Sequence, residues 1–313
     1  MSEGRRVALA LGSGGARGYA HIGTIQVLEE RGYEIVAVAG TSMGAVIGGL
    51  YAAGRLDTYV AWVSSLSQRD VWRLLDPAVN GPGAIRAERV MGRVAEILDG
   101  ALIEDLAIPF TAVATDLDLR REVWFQRGPV HTAMRASVAI PSVITPIVVD
   151  GRVLVDGGLI NPVPIEPTTA VASDLTVAVS LSGLRAESGG AGASSLSPVR
   201  SAGTSFQELT DRVRALSTRL TAPTGEKAAA SQPPAPGLPY SAPPKDLTTV
   251  DVIGRSLDTM EALIARYRMA SNPPDVLVSV PADACRTMDF HRAQEMIDLG
   301  RALTTQALDA AGR

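Results

Sequence analysis

Two apolar runs, each broken by glycines and then resumed at helical spacing, constrain this chain more than any other feature. "RVALAL" reads as a buried strand leading into Gly12, Gly14, Gly15 and Gly18, after which Ile22, Ile25, Leu28 and Glu29 recur at helical intervals as far as Gly32. "EIVAVAG" is a second buried strand, turning through "TSMG" into a helix over "AVIGGLYAAG" that stops at Gly54. Strands apolar on both faces that alternate with helices belong in a parallel sheet covered on both sides. A helix from Arg86 to Leu98, strands in "FTAVATDL" and "EVWFQRG", a hairpin turning at Asp150-Gly151 and a strand in "SDLTVAVSL" continue the pattern. The expected fold is α/β, a three-layer α/β/α arrangement around a mostly parallel central sheet.

With 313 residues, 46% hydrophobic and 20% charged, the chain has enough apolar material for a large core. Composition divides it into three parts. Residues 6–184 form the expected catalytic core. Residues 185–246 are a Ser/Ala/Gly/Pro-rich insertion, whose "FQELTDRVRALSTRL" island carries an amphipathic helix near 206–220. Residues 247–313 read as helix, strand and helix, with the last helix from Phe290, completing the same domain. A net charge of −4 supplies no basic field, so nucleic acid is not an expected partner. The single cysteine, Cys285, has no internal disulfide partner and no metal-ligand spacing, and no metal or cofactor is expected. That cysteine usage makes the compartment read as cytoplasmic, with peripheral contact at the inner membrane surface expected beside it, and "VALAL" is too short for a signal-peptide core. The uncharged window from Ile35 to Gly54 has the length of a membrane span, but it breaks at "AGTSMG" into strand and helix patterns.

The glycine loop does not fit a nucleotide. A dinucleotide fingerprint starting at Gly12 needs glycine where Arg17 stands, and the lysines, Lys227 and Lys245, lie far from any P-loop position. Backbone N–H groups opening a helix suit a short-lived oxyanion instead. The nucleophile is supplied by Gly40-Thr41-Ser42-Met43-Gly44, a G-x-S-x-G turn between strand and helix that exposes the serine oxygen. Two kinds of base are available. His291 gives the order serine, aspartate, histidine, although "DFHRAQEMIDLG" reads as an ordinary helix beginning; His131 lacks strand-end context, and His21, one turn into the first helix, reads as a packing or capping residue. Alternatively a carboxylate acts directly: Asp156 follows a strand and precedes Gly157, Gly158 and a proline-rich loop.

Taken in order, "SGGARG" (Ser13 to Gly18), "GTSMG" (Gly40 to Gly44) and "DGG" (Asp156 to Gly158) resemble the patatin-like phospholipases. "RASVAIP" and "DGGLINPVP" also look like family segments, and the likeness runs from about Arg6 to Leu181. One departure is Ser13, where the family's oxyanion motif has its first glycine. The resemblance implies a Ser42–Asp156 dyad working without histidine, an oxyanion hole from Gly14, Gly15, Arg17 and Gly18, and Arg17 as an anchor of that loop. It implies a hydrolase acting on phospholipid or lysophospholipid esters through an acyl-enzyme, and the amphipathic stripe at 206–220 adds the expectation of transient contact at a membrane surface. The competing expectations are a histidine-dependent esterase or acyltransferase using His291, and a lipid-binding regulatory protein with a weak site.

Overall fold

The computed structural model describes residues 5–76, 83–183 and 249–313; the whole of the 185–246 insertion, with the helix expected at 206–220, lies outside them. The element order is β1 (Arg6–Leu11), α1 (Ala20–Glu30), β2 (Glu34–Thr41), α2 (Met43–Ala52), α3 (Leu56–Ser64), α4 (Gln68–Leu74), β3 (Gly83–Ile85) and α5 (Glu88–Leu98). There follow β4 (Phe110–Asp116), β5 (Arg121–Phe125), α6 (Val130–Ser137), β6 (Ser142–Ile144), β7 (Ile147–Val149), β8 (Arg152–Asp156) and β9 (Leu175–Gly183). Finally come α7 (Thr249–Ser271), β10 (Val276–Pro281) and α8 (Ala293–Ala310).

The main sheet runs β10-β9-β1-β2-β4-β8-β7, with β5 on the other edge of β4. The pairings from β10 to β4 are parallel, whereas β5, β8 and β7 join antiparallel. The central parallel strands β1, β2 and β4 are buried along nearly their whole length, as helices on both faces require, whereas β10 at the edge alternates buried and exposed residues. The last helix begins at Ala293, three residues after Phe290, because the turn through Arg286 to Arg292 is closed by Asp289. α8 then lies against α1 so closely that a side chain at Gly23 would come within 2.1 Å of the Ile297 carbonyl. The sequence patterns overlook α3, α4, α6 and the small β3–β6 sheet. α4 and the β3–β6 sheet serve a local cluster around Val71 and Ile85, whereas α3 and α6 add Tyr59, Val63, Val130 and Met134 to the main core.

The antiparallel half of the sheet has a consequence for function. β2 pairs with β4 over Phe110 to Val113, and β8 pairs with it over Ala114 to Asp116. β5 occupies the opposite edge over Ala112 to Asp116, so β2 and β8 must share one edge. They run toward each other and end on neighbouring residues: Thr41 faces Val113, and Asp156 faces Ala114. Two strand ends abut there, at the carboxyl end of the parallel strands where open α/β sheets bind ligands.

Candidate active site

Ser42 follows Thr41 at that junction and turns the chain into α2. Its φ of 57° and ψ of −123° put a non-glycine residue in strained backbone, held by its surroundings. The turn is so tight that a side chain at Gly40 would stand 2.2 Å from the Gly44 carbonyl, and one at Gly44 would stand 2.0 Å from the Leu11 carbonyl. Glycine stands two residues to either side of the serine because nothing larger fits there. The Ser42 N–H donates to Ser137 Oγ at 2.8 Å, and Ser137 in turn donates to the Val113 carbonyl at 2.6 Å. Ser137 therefore ties α6 to both the elbow and β4. It stands in "RASVAIP", but nothing in its own residue type marked it in the sequence.

Asp156 sits across the junction and is 3% exposed, with Ser42 at 2%. Its Oδ1 accepts the Gly158 N–H at 2.8 Å, and its own N–H donates to the Ala139 carbonyl at 2.9 Å. Burial pushes the carboxyl up to about 6, against the Ser42 hydroxyl and the Gly158 amide, which both favour the charged form. Oδ2 is buried and completes no aligned hydrogen bond among the described residues. Ser42 is thus near enough to influence the ionisation of Asp156 without a well-formed bond, as is common before substrate tightens a site. Gly157 and Gly158 let this turn sink against its neighbours. A side chain at Gly157 would meet the Val113 carbonyl at 2.2 Å, and one at Gly158 would meet Ser13 Oγ at 2.7 Å.

The first glycine loop closes the site from a third direction. Gly12 and Ser13 donate their N–H groups to the Val179 and Pro162 carbonyls, and Ala16 donates to Thr287. Between them, the amides of Gly14 and Gly15 have no acceptor among the described residues. Gly15 has a left-handed φ of 58°, and a side chain there would stand 2.5 Å from the Thr287 carbonyl. Gly18 packs on the elbow itself, since a side chain on it would meet Met43 Cβ at 2.3 Å. Arg17 Nη1 donates to the Ala282 and Cys285 carbonyls at 3.0 and 3.2 Å, pinning the loop to the segment after β10. The three motifs, scattered over 13–158, therefore meet around one junction.

The histidines behave differently. His21 is fully buried, and burial holds it down at about 4, so the neutral ring donates from Nε2 to the Gly12 carbonyl at 2.9 Å. His131 lies on the exposed side of α6, in contact with Thr132. His291 lies just before α8, where it helps keep the Glu295 carboxyl charged. None of the three is among the groups that shift Asp156. Among the described residues, no group of three or more His, Cys, Asp and Glu is placed to hold a metal ion, and no helix is long and apolar enough to cross a membrane.

An apolar cleft begins at the residue after the serine. Met43, the residue after Ser42, lines it together with Val46, Tyr59, Met91, Val138 and Phe290, enclosing about 90 Å³. Its aromatic walls are edge-on pairs, Tyr19 with Phe290 and Tyr59 with Trp62.

A strained serine elbow at the end of a parallel strand, a buried carboxylate at the abutting strand end and an adjacent apolar cleft define a serine-hydrolase-like site in an α/β/α fold. The sequence pattern of the patatin-like phospholipases matches residues 9–169, and this chain belongs to that family. An uncharacterised NTE family protein of Mycobacterium tuberculosis is 46% identical over 342 aligned positions, covering 99% of this chain and 93% of that protein. The lysophospholipase NTE1 of Mycosarcoma maydis is 33% identical over 185 positions, which span 56% of this chain and 10% of that much longer protein. Among solved structures, VipD from Legionella pneumophila matches with a TM-score of 0.52 at 15% identity, covering 99% of this chain and 67% of that one, a likeness of fold.

Proposed function

We propose that this protein is a lipid acyl hydrolase that cleaves carboxylic esters of phospholipids or lysophospholipids with a Ser42–Asp156 dyad. The observation that carries this reading is the head-to-head meeting of β2 and β8 on β4, which puts an elbow serine beside a buried carboxylate. Ser42 Oγ attacks the ester carbonyl while its proton passes to Asp156 Oδ2. An ordinary aspartate is a weak base, and burial raises this one toward neutrality. The unpaired amides of Gly14 and Gly15 receive the developing oxyanion, each such donor contributing roughly 3 kcal/mol in comparable sites. Asp156 then protonates the leaving alcohol, and a water repeats the sequence to release the fatty acid from Ser42. The cleft beginning at Met43 takes the first methylenes of the acyl chain.

The similarity to proteins named lysophospholipase and to the patatin-like phospholipases supports a substrate with an acyl ester and a polar phosphate head. Incubation with mixed lysophospholipids and diacyl phospholipids should release free fatty acid, and Ser42→Ala should release none. A folded wild-type protein that releases fatty acid from no ester of either kind would overturn the proposal.

A further inference from the structure

Arg268 belongs to α7, far in sequence from the glycine motifs, yet its guanidinium reaches the turn that follows Asp156. Nε donates to the Ile160 carbonyl, Nη1 to Glu166 Oε1 and Nη2 to Glu122 Oε1, each at 2.9 Å. The second oxygen of Glu122 accepts Asn161 Nδ2 and Trp124 Nε1, both at 2.8 Å. Burial pushes the Glu122 carboxyl up, but the hydrogen bonds from Trp124, Asn161 and Arg268 outweigh it and keep the group below its ordinary value, hence charged. Asn161 then links two backbones. Its N–H donates to the Gly157 carbonyl, and its carbonyl accepts Thr41 Oγ1, each at 2.8 Å. A chain of direct bonds therefore joins Arg268 to the residue after Asp156 and to the residue before Ser42.

We propose that Arg268 is a positioning residue for the hydrolytic reaction, its three-way fork fixing the turn after Asp156 at the separation from Ser42 that proton transfer needs. The inference rests on the Ser42–Asp156 reading given above. A planar guanidinium is required because two carboxylates and a carbonyl must be met at once in fixed directions, which a lysine ammonium on a flexible stem does not reproduce. The helix carrying it is itself seated. Ala265, one turn earlier on the same face, is 1% exposed and packs with Val163 and Ile165 beyond the turn. Arg268 and its two charged partners, Glu122 and Glu166, are half-buried, so solvent screens the fork only partly. A merely structural ion pair would add stability and nothing else. A positioning pair also sets how well Oδ2 meets the serine, where small displacements cost rate steeply.

The charges around Asp156 allow the effect to be read. Glu261, also on α7, is pushed up to about 8 by burial, by Asp156 and by Asp258, with Arg17 opposing. Glu261 and Asp156 raise one another's demand for a proton, so the acid limb of the pH profile reports the pair.

The full chain with Arg268→Met or Arg268→Lys is assayed on a soluble p-nitrophenyl ester beside Ser42→Ala and Asp156→Asn, with the folded fraction of each measured. The expected result for Arg268→Met is a fall in kcat of about tenfold or more with KM nearly unchanged. Its acid limb should move to lower pH as the loosened turn admits water around Asp156. Arg268→Lys should lie between it and wild type, and millimolar methylguanidinium should restore part of kcat to Arg268→Ala. If Arg268→Met fails to fold, Arg268→Lys and the rescue decide. A kcat and an acid limb equal to wild type in folded Arg268 variants, even with a lowered Tm, would overturn positioning while leaving the dyad standing. Full activity in Ser42→Ala or Asp156→Asn would instead overturn the dyad, and positioning with it.

Discussion

At the scale of single residues, the site trades stability for reactivity. The Asp156 carboxyl titrates near 6 when folded and near 3.8 in an open chain, so the folded protein holds that proton more tightly. Its contribution to stability is therefore best at low pH and declines as pH rises through this interval, by roughly 3 kcal/mol once both states are ionised. Asp156→Asn should consequently unfold at higher urea than wild type near pH 8, with the difference shrinking toward pH 4, while losing ester hydrolysis. Equal or lower stability of the variant near pH 8 would show that the buried charge is not a burden. Gly15 has a different balance. At its φ of 58°, with Thr287 only 2.5 Å from any added Cβ, a side chain strains the backbone and displaces the loop. Gly15→Ala should lose about 100-fold in kcat and also 1–3 kcal/mol of stability. Retention of kcat in that variant would remove Gly15 from the oxyanion site. Gly15, Ser42 and Asp156 stood out as candidates in the sequence because three motifs occur in the order of the patatin-like phospholipases, although spacing alone left the base open between Asp156 and His291. Ser137 and Arg268 did not: each acts through contacts with residues remote in sequence, and an isolated serine or arginine in a helix carries no pattern.

At the scale of elements, apolar periodicity located β1, α1, β2, α2, β4, β9 and β10, since each buries a continuous run or a full stripe. It did not reveal that β8 approaches β2 end to end, because a hairpin signal at Asp150-Gly151 says nothing about which edge the hairpin joins. That antiparallel addition is what unites the serine and aspartate motifs. Short α3 and α4 escaped because seven to nine residues hold too few turns for a stripe to stand out, yet they wall the apolar cleft with Tyr59, Trp62 and Val71. The cleft makes its own prediction. Val90 of α5 lines it while remaining partly exposed, so Val90→Phe narrows the space without overfilling the core. If the acyl chain lies there, octanoate esters should lose about tenfold in kcat/KM relative to acetate esters, the equivalent of denying burial to about two methylenes. An unchanged chain-length profile would mean the acyl chain takes another route.

At the scale of the whole molecule, one sheet carries both halves of the site, and the C-terminal elements brace it. β10 extends the sheet, α8 packs on α1, the loop between them holds Arg17, and α7 holds the Asp156 turn. The insertion expected to carry an amphipathic helix at 206–220 enters the chain just before α7. We propose, from its sequence alone, that this segment makes brief contact with a lipid surface and does not anchor the chain. Deleting residues 203–223 should lower hydrolysis of lipid in vesicles and spare a soluble short-chain ester, and a joint loss with a fall in Tm would make the segment part of the core. The central claim concerns which group takes the serine proton, and it is tested most directly by kcat/KM on a soluble p-nitrophenyl ester for Asp156→Asn and His291→Ala, with Ser42→Ala as the baseline. The account predicts that Asp156→Asn falls to that baseline and His291→Ala stays within a few-fold of wild type. A folded His291→Ala protein as inactive as Ser42→Ala would contradict it.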